Sequence, residues 1–173
     1  MENIVLSWSG GKDSAMTLLA LRQGGQYNVV ALLTTVNEAN NRSSMHGVRM
    51  ELVQKQAEAL GIPLDSIGLP EDCTNEEYEA RMNAAMLAYK TRGIGTVAFG
   101  DLFLEGIRRY REENLNKVGM KAIFPLWGRD TKSLLQELLD TGHKAIITCV
   151  DTKALDKRFA GREIDADFLS DLP

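Results

Sequence analysis

Cysteine is nearly absent from this chain. Cys73 and Cys149 stand far apart and neither belongs to a Cys-x-x-Cys pair. That excludes a disulfide scaffold and a paired-thiolate metal clamp, and it fits a reducing compartment. No apolar run approaches the roughly 20 residues of a membrane-spanning helix. A basic excess is also missing. The 20 Lys and Arg are outnumbered by 24 Asp and Glu, a formal net charge of −4. Such a balance argues against a general nucleic-acid surface. There is no internal repeat, low-complexity tract or composition shift that would divide the chain. Met1 leads directly into a strand pattern, so no signal peptide is expected and the reading is cytoplasmic. What remains is 173 residues with ordinary hydrophobic content. They are enough for one domain, residues 1–173, with a substantial core.

The most informative segment is Ser9-Gly10-Gly11-Lys12-Asp13-Ser14. It follows the apolar run Ile4–Trp8, which reads as a strand, and precedes Ala15–Leu21, which reads as a helix. A strand, a glycine turn and a helix N-terminus make an anion site, because free N–H groups and the helix dipole favour negative charge. Adjacent glycines let the backbone approach a phosphate closely. Ser9 and Ser14 add hydroxyls and Lys12 adds a cation. The P-loop pattern fails, since Gly11-Lys12 is followed by Asp13 and Leu6 stands where its first glycine belongs. The dinucleotide pattern fails because Gly10 and Gly11 are adjacent. Ser-Gly-Gly-x-Asp-Ser resembles the signature of the PP-loop ATP pyrophosphatases, which cleave ATP between its α and β phosphates.

Helix and strand patterns alternate downstream. Strands are expected at 27–36, 64–69, 96–100, 122–124 and 145–150. Helices are expected at 48–60, from 74 to Gly93, at 103–116 and from Asp130 to Thr141. Thr74 with Glu77 forms a capping-box pattern. Alternation of this kind predicts an α/β three-layer sandwich with a mainly parallel sheet of five or more strands. Ligands in such sheets lie beyond the carboxyl ends of the strands. The loop after strand one, Thr34-Thr35-Val36, Gly100-Asp101 and Thr148–Asp151 are therefore expected to face one cleft.

Several residues there could carry chemistry. Asp101 and Asp13 are candidate Mg²⁺ ligands, since that ion is held by one or two carboxylates plus phosphate oxygens. Asp101 could equally cap the helix expected from Phe103. Glu105 with Arg109, and Arg108 with Glu112, are spaced to pair on one helix face. His46, in the polar loop Ser43–Gly47, is a candidate general acid or base, or simply an exposed side chain. His143 reads as structural. Trp127 could stack on a base or anchor the next helix. Cys149 is expected to be a packed thiol within a strand. Cys73 sits in an acidic turn that disfavours a thiolate.

Five separated motifs occur in order: Ser7–Ser14; Met45-His46-Gly47; Phe99-Gly100-Asp101 with Arg108–Glu112; Pro125–Gly128; and Ala145–Asp151. Together they resemble the diphthine–ammonia ligase family, a branch of the PP-loop superfamily, over about residues 3–162. The resemblance implies a fold of the HUP type, similar to the adenine nucleotide alpha hydrolases. It implies a ligase that adenylates a substrate carboxylate, releases pyrophosphate, and passes the acyl group to ammonia with loss of AMP. ATP and Mg²⁺ are then the expected cofactors. Ser9, Gly10, Gly11, Lys12, Asp13 and Ser14 would hold phosphates. Thr34, Thr35, Val36 and Gly100 would complete the nucleotide site, and Lys12, Asp13, His46 and Asp101 would carry the chemistry. Expected partners are ATP, ammonium and, in an archaeal or eukaryotic setting, elongation factor 2. In a bacterial setting the acceptor is another carboxylate. No membrane partner is expected, and a homo-oligomer is left open. The resemblance also implies a C-terminal Gly-Glu-x-Gly-Glu-like motif, which these residues do not contain. ATP binding is expected to survive without it. A nucleotide-binding module without turnover and a tRNA-modifying enzyme are the competing readings. The charge balance and the missing cysteine pair disfavour the second.

Overall fold

A computed structural model describes residues 1–173. They form two compact units, Met1–Gly128 and Arg129–Pro173. The first contains β1 (Glu2–Ser7), α1 (Lys12–Gly24), β2 (Tyr27–Asn37), β3 (Arg42–Ser43), α2 (Met50–Leu60), β4 (Leu64–Leu69), α3 (Asn75–Thr91), β5 (Thr96–Ala98), α4 (Glu105–Lys117) and β6 (Lys121–Ile123). Five strands are parallel in the order β4-β2-β1-β5-β6, and the short β3 pairs antiparallel with β2.

Alternation along the strands divides the core into two layers, as period-two side chains must. Ile4 and Leu6 of β1, with Leu32 of β2, pack under Leu18 and Leu21 of α1 and Val53 and Ala57 of α2. Val5, Ala31, Leu33 and Val97 face the opposite way, against Met86 and Tyr89 of α3 and Leu115 of α4. The chain is thus the expected α/β sandwich. The capping box of α3 is formed: Thr74 accepts from the Glu77 N–H while the Glu77 carboxylate accepts from the Thr74 N–H.

The order of the strands fixes where a ligand can sit. From β1 the chain winds outward through β2 to β4, then crosses by α3 to β5 on the other side of β1. The switch point therefore lies between β1 and β5, where the loops leaving their carboxyl ends diverge. β3 occupies the lane that β1 vacates. Leu33 O accepts from Trp8 N at 2.8 Å, and two residues on Thr35 O accepts from Ser44 N at 3.0 Å.

The second unit contains α5 (Thr131–Asp140), a 3₁₀ turn at Lys157–Phe159 and α6 (Ala166–Asp171). Asp130 caps α5 through the Ser133 N–H at 2.8 Å. The strand expected at 145–150 is not present in the sheet. Its one bridge joins Ile146 to Glu163, with Ile147 N donating to Arg162 O and Ile164 N to Ala145 O. An apolar run of this length satisfies a local antiparallel contact as readily as a central strand. Thr148–Asp151 is accordingly no strand end, and Cys149 is an exposed thiol rather than a packed one. Here Phe159 and Phe168 meet edge to face with centroids 5.7 Å apart, buried with Ile164. No helix in the chain is long and apolar enough to cross a membrane.

Candidate functional site

The phosphate-type loop runs from Trp8 to Gly11 between β1 and α1. Gly10 has φ of +77°, a conformation that side-chain-bearing residues rarely adopt. Gly11 stands at the N-cap position in extended backbone, and no side chain caps the helix. The first-turn N–H groups of α1 are therefore free of a side-chain cap. Ser9 Oγ accepts from Gly11 N at 3.3 Å and lies 3.4 Å from Ser14 Oγ, and Ser14 Oγ donates to Gly11 O at 2.8 Å. Lys12 Nζ reaches the adjacent Asp13 carboxylate at 2.5 Å, both side chains being partly exposed.

Gly100 brings the end of β5 against this helix. A Cβ there would lie 3.1 Å from Asp13 C, Asp13 O and Thr17 Oγ1, two of which are backbone atoms. A larger residue there would require α1 to give by a few tenths of an ångström. Asp101 follows with its side chain 14% exposed. It does not cap α4, which begins at Glu105 with Leu104 at the N-cap position. Its carboxylate turns instead to Arg111 of α4. Arg111 Nε stands 2.8 Å from Asp101 Oδ2, and Nη2 lies 3.4 Å from Oδ1. The Nε–H is not aligned with Oδ2, so neither buried atom completes a hydrogen bond and the close contact is Coulombic. The other face of the guanidinium covers the Phe99 ring, 4.3 Å from its centroid.

These loops open onto a cleft of about 450 Å³, entirely within the first unit. That volume suits a small-molecule ligand. Ser9, Asp13, Ser14, Thr34, Thr35, His46, Gly100 and Asp101 line it. Gly10, Gly11 and Lys12 shape the loop without forming the wall, and Val36 pairs with Ser43 of β3 outside it. β3 carries Ser43–His46 onto the rim, where His46 is exposed. Asp13 and Asp101 reach the same cleft from α1 and β5. Carboxylate oxygens are the donors that Mg²⁺ uses; here Asp13 pairs with Lys12 and Asp101 with Arg111.

The far wall was not legible in the sequence. α3 supplies Tyr78, Glu79 and Asn83, and α4 supplies Tyr110, Arg111 and Asn114. Tyr110 OH donates to Glu79 at 3.3 Å, and Lys117 Nζ lies 3.4 Å from the same carboxylate. Burial raises the Tyr78 phenol above its ordinary range, opposed by the nearby Arg111 cation. Burial and then the Glu79 charge raise Tyr110. Both phenols stay protonated donors at neutral pH. The spacing of these residues reads only as two amphipathic helices, and their convergence depends on the α3 crossover. Trp127, by contrast, does not line the cleft. It meets Phe124 at 5.9 Å and carries the Arg108 guanidinium of α4, the preceding helix, 4.7 Å from its ring. Arg108 also pairs with Glu112 at 2.8 Å, as the spacing predicts.

Comparison with known proteins agrees with this architecture. The diphthine–ammonia ligase of Bos taurus is 26% identical over 176 residues, covering 91% of this chain and 65% of that protein. The chain thus spans just under two thirds of that relative. Among solved structures, a predicted subunit of tRNA methyltransferase from Methanocaldococcus jannaschii superposes with a TM-score of 0.53. It has 18% identity and covers 87% of this chain and 81% of that one, a likeness of fold. The family model for the diphthamide synthase N-terminal domain matches residues 1–122, the segment that holds the whole cleft. The chain belongs to the diphthamide synthase N-terminal domain family.

Proposed function

We propose that the cleft binds ATP and that the protein is a C–N ligase working through an acyl-adenylate. The observation that carries this reading is the uncapped Ser9–Ser14 loop, set at the switch point between β1 and β5 and opening on the cleft. The β and γ phosphates lie on this loop, and strand-end backbone at Thr34 and Thr35 faces the adenosine. A substrate carboxylate oxygen attacks the α phosphorus. The bond from that phosphorus to the bridging oxygen breaks, and pyrophosphate leaves with the electron pair. Ammonia then attacks the acyl carbon, AMP departs, and the proton lost by nitrogen passes to His46 on the rim. Lys12 offsets charge as it grows on the departing pyrophosphate. Asp13 and Asp101 would hold Mg²⁺, which screens phosphate charge. Asp101 is held in place by Arg111. Most of the acceleration comes from positioning and electrostatics, with no covalent enzyme intermediate.

The relative's name supports a diphthine-like carboxylate and ammonia as co-substrates. In an archaeal or eukaryotic setting the acceptor is then elongation factor 2, in the cytoplasm. The test is ATP–pyrophosphate exchange with candidate carboxylates and no ammonium. Carboxylate-dependent exchange is expected. ADP and phosphate as the only products would overturn the reading.

A further inference from the structure

α2 contributes nothing to the cleft wall, yet one of its side chains grips the phosphate loop from behind. Gln56 Oε1 accepts from Trp8 Nε1 at 3.0 Å, and its Nε2 donates to Gly10 O at 3.0 Å. One carboxamide thus ties the end of β1 to the residue of the loop with positive φ. The approach is close: a Cβ on Gly10 would stand 2.9 Å from Gln56 Oε1.

The consequence lies in the Gly10–Gly11 peptide. It is trans, so its carbonyl and N–H point in opposite directions. Gln56 holds the carbonyl toward α2. The Gly11 N–H must then face the other way, and it does, toward Ser9 Oγ on the cleft. Without Gln56 only the 3.3 Å hydrogen bond from Gly11 N to Ser9 Oγ opposes a flip of this peptide. A flip would replace an N–H by a carbonyl oxygen at the anion site. The change would repel a phosphate as well as remove a donor.

We propose that Gln56 is a positioning residue of the phosphate site, locking the Gly10–Gly11 peptide so that the Gly11 N–H faces a bound β or γ phosphate. The proposal rests on the nucleotide reading above. Gln56→Met removes both hydrogen bonds without changing charge. Gln56→Glu keeps an acceptor for Trp8 and loses the donor to Gly10. Both are made in a Trp127→Phe background, which leaves Trp8 as the one indole. Affinities for Mg-ATP, inorganic pyrophosphate and AMP are measured by calorimetry, with Trp8 emission and thermal melting alongside.

Both variants should bind ATP and pyrophosphate about tenfold more weakly, the worth of roughly one charge-assisted hydrogen bond. AMP, which lacks the phosphates on the loop, should change far less. Trp8 emission should shift in Gln56→Met and stay near the parent in Gln56→Glu. Unchanged ATP and pyrophosphate affinity, or equal weakening of ATP and AMP, overturns the proposal. If Gln56→Met does not fold, Gln56→Leu, equally uncharged and unable to bond either partner, takes its place, because Gln56→Glu adds a charge that weakens anion binding by itself. A parent protein that binds pyrophosphate but no adenine nucleotide overturns the ligase reading, and the pyrophosphate affinities then still decide the role of Gln56. A parent that binds neither overturns both.

Discussion

Arg111 holds Asp101 within the cleft by a close charge contact and one long hydrogen bond, from Nη2 to Oδ1 at 3.4 Å. Its Nε is 2.8 Å from Asp101 Oδ2, while both atoms are buried and lack a completed hydrogen bond. The pair bridges α4 to the end of β5, so the carboxylate at the switch point is oriented by a helix from the opposite wall.

Removing the cation should leave Asp101 charged and largely desolvated. Arg111→Met is expected to cost about 1–3 kcal/mol in urea denaturation. Asp101→Asn in the same background should recover part of that loss, because the neutral amide is cheaper to bury. Strictly additive single and double variants would show that the two side chains do not depend on each other.

Gly100→Ala tests the approach of the two switch-point loops. The added Cβ meets Asp13 backbone at 3.1 Å, and backbone cannot rotate aside. A destabilisation of about 1–3 kcal/mol is expected, as for other forced overpacking. ATP affinity should fall with it, since α1 must shift away from β5. Wild-type stability and affinity in this variant would show that α1 yields to the added Cβ without cost.

Lys12→Ala should separate binding from chemistry. Charge on pyrophosphate grows in the transition state, so kcat should drop by about a hundredfold while ATP affinity changes little. An equal loss in both would place Lys12 in ground-state binding only.

Tyr89 provides a pH test of the α3 face of the sheet. Its hydroxyl donates to Asp65, and desolvation, then the Asp65 hydrogen bond and charge, raise its pKa above the ordinary value. Between roughly pH 10 and the higher folded value, the unfolded chain loses the phenol proton and the folded one keeps it. Stability from this group is therefore full below about pH 10 and falls as pH rises. Chemical denaturation of wild type across that window should fall more steeply than that of Tyr89→Phe. Parallel curves would count against the network.

How much of this was legible beforehand depended on range. Ser9–Ser14, the capping box at Thr74 and the strand at 64–69 are local patterns whose structure follows from adjacent residues. The run at 145–150 failed because an apolar segment does not encode its partner. Cys149 is exposed for the same reason, since its packing depended on that strand. Of the two roles open to Asp101 in the sequence, the helix cap is not formed, because Arg111, ten residues on, takes its carboxylate. Tyr78, Glu79, Asn114 and Gln56 were invisible because each reaches the site only through a crossover or a packed helix.

In the proposed mechanism a carboxylate oxygen becomes bonded to the α phosphorus of ATP. With the substrate carboxylate labelled with oxygen-18 and ammonium present, mass spectrometry of the products tests it directly. One labelled oxygen should appear in AMP, with unlabelled pyrophosphate and the amide formed in equal amount. Label in inorganic phosphate with ADP, or unlabelled AMP, would contradict the account.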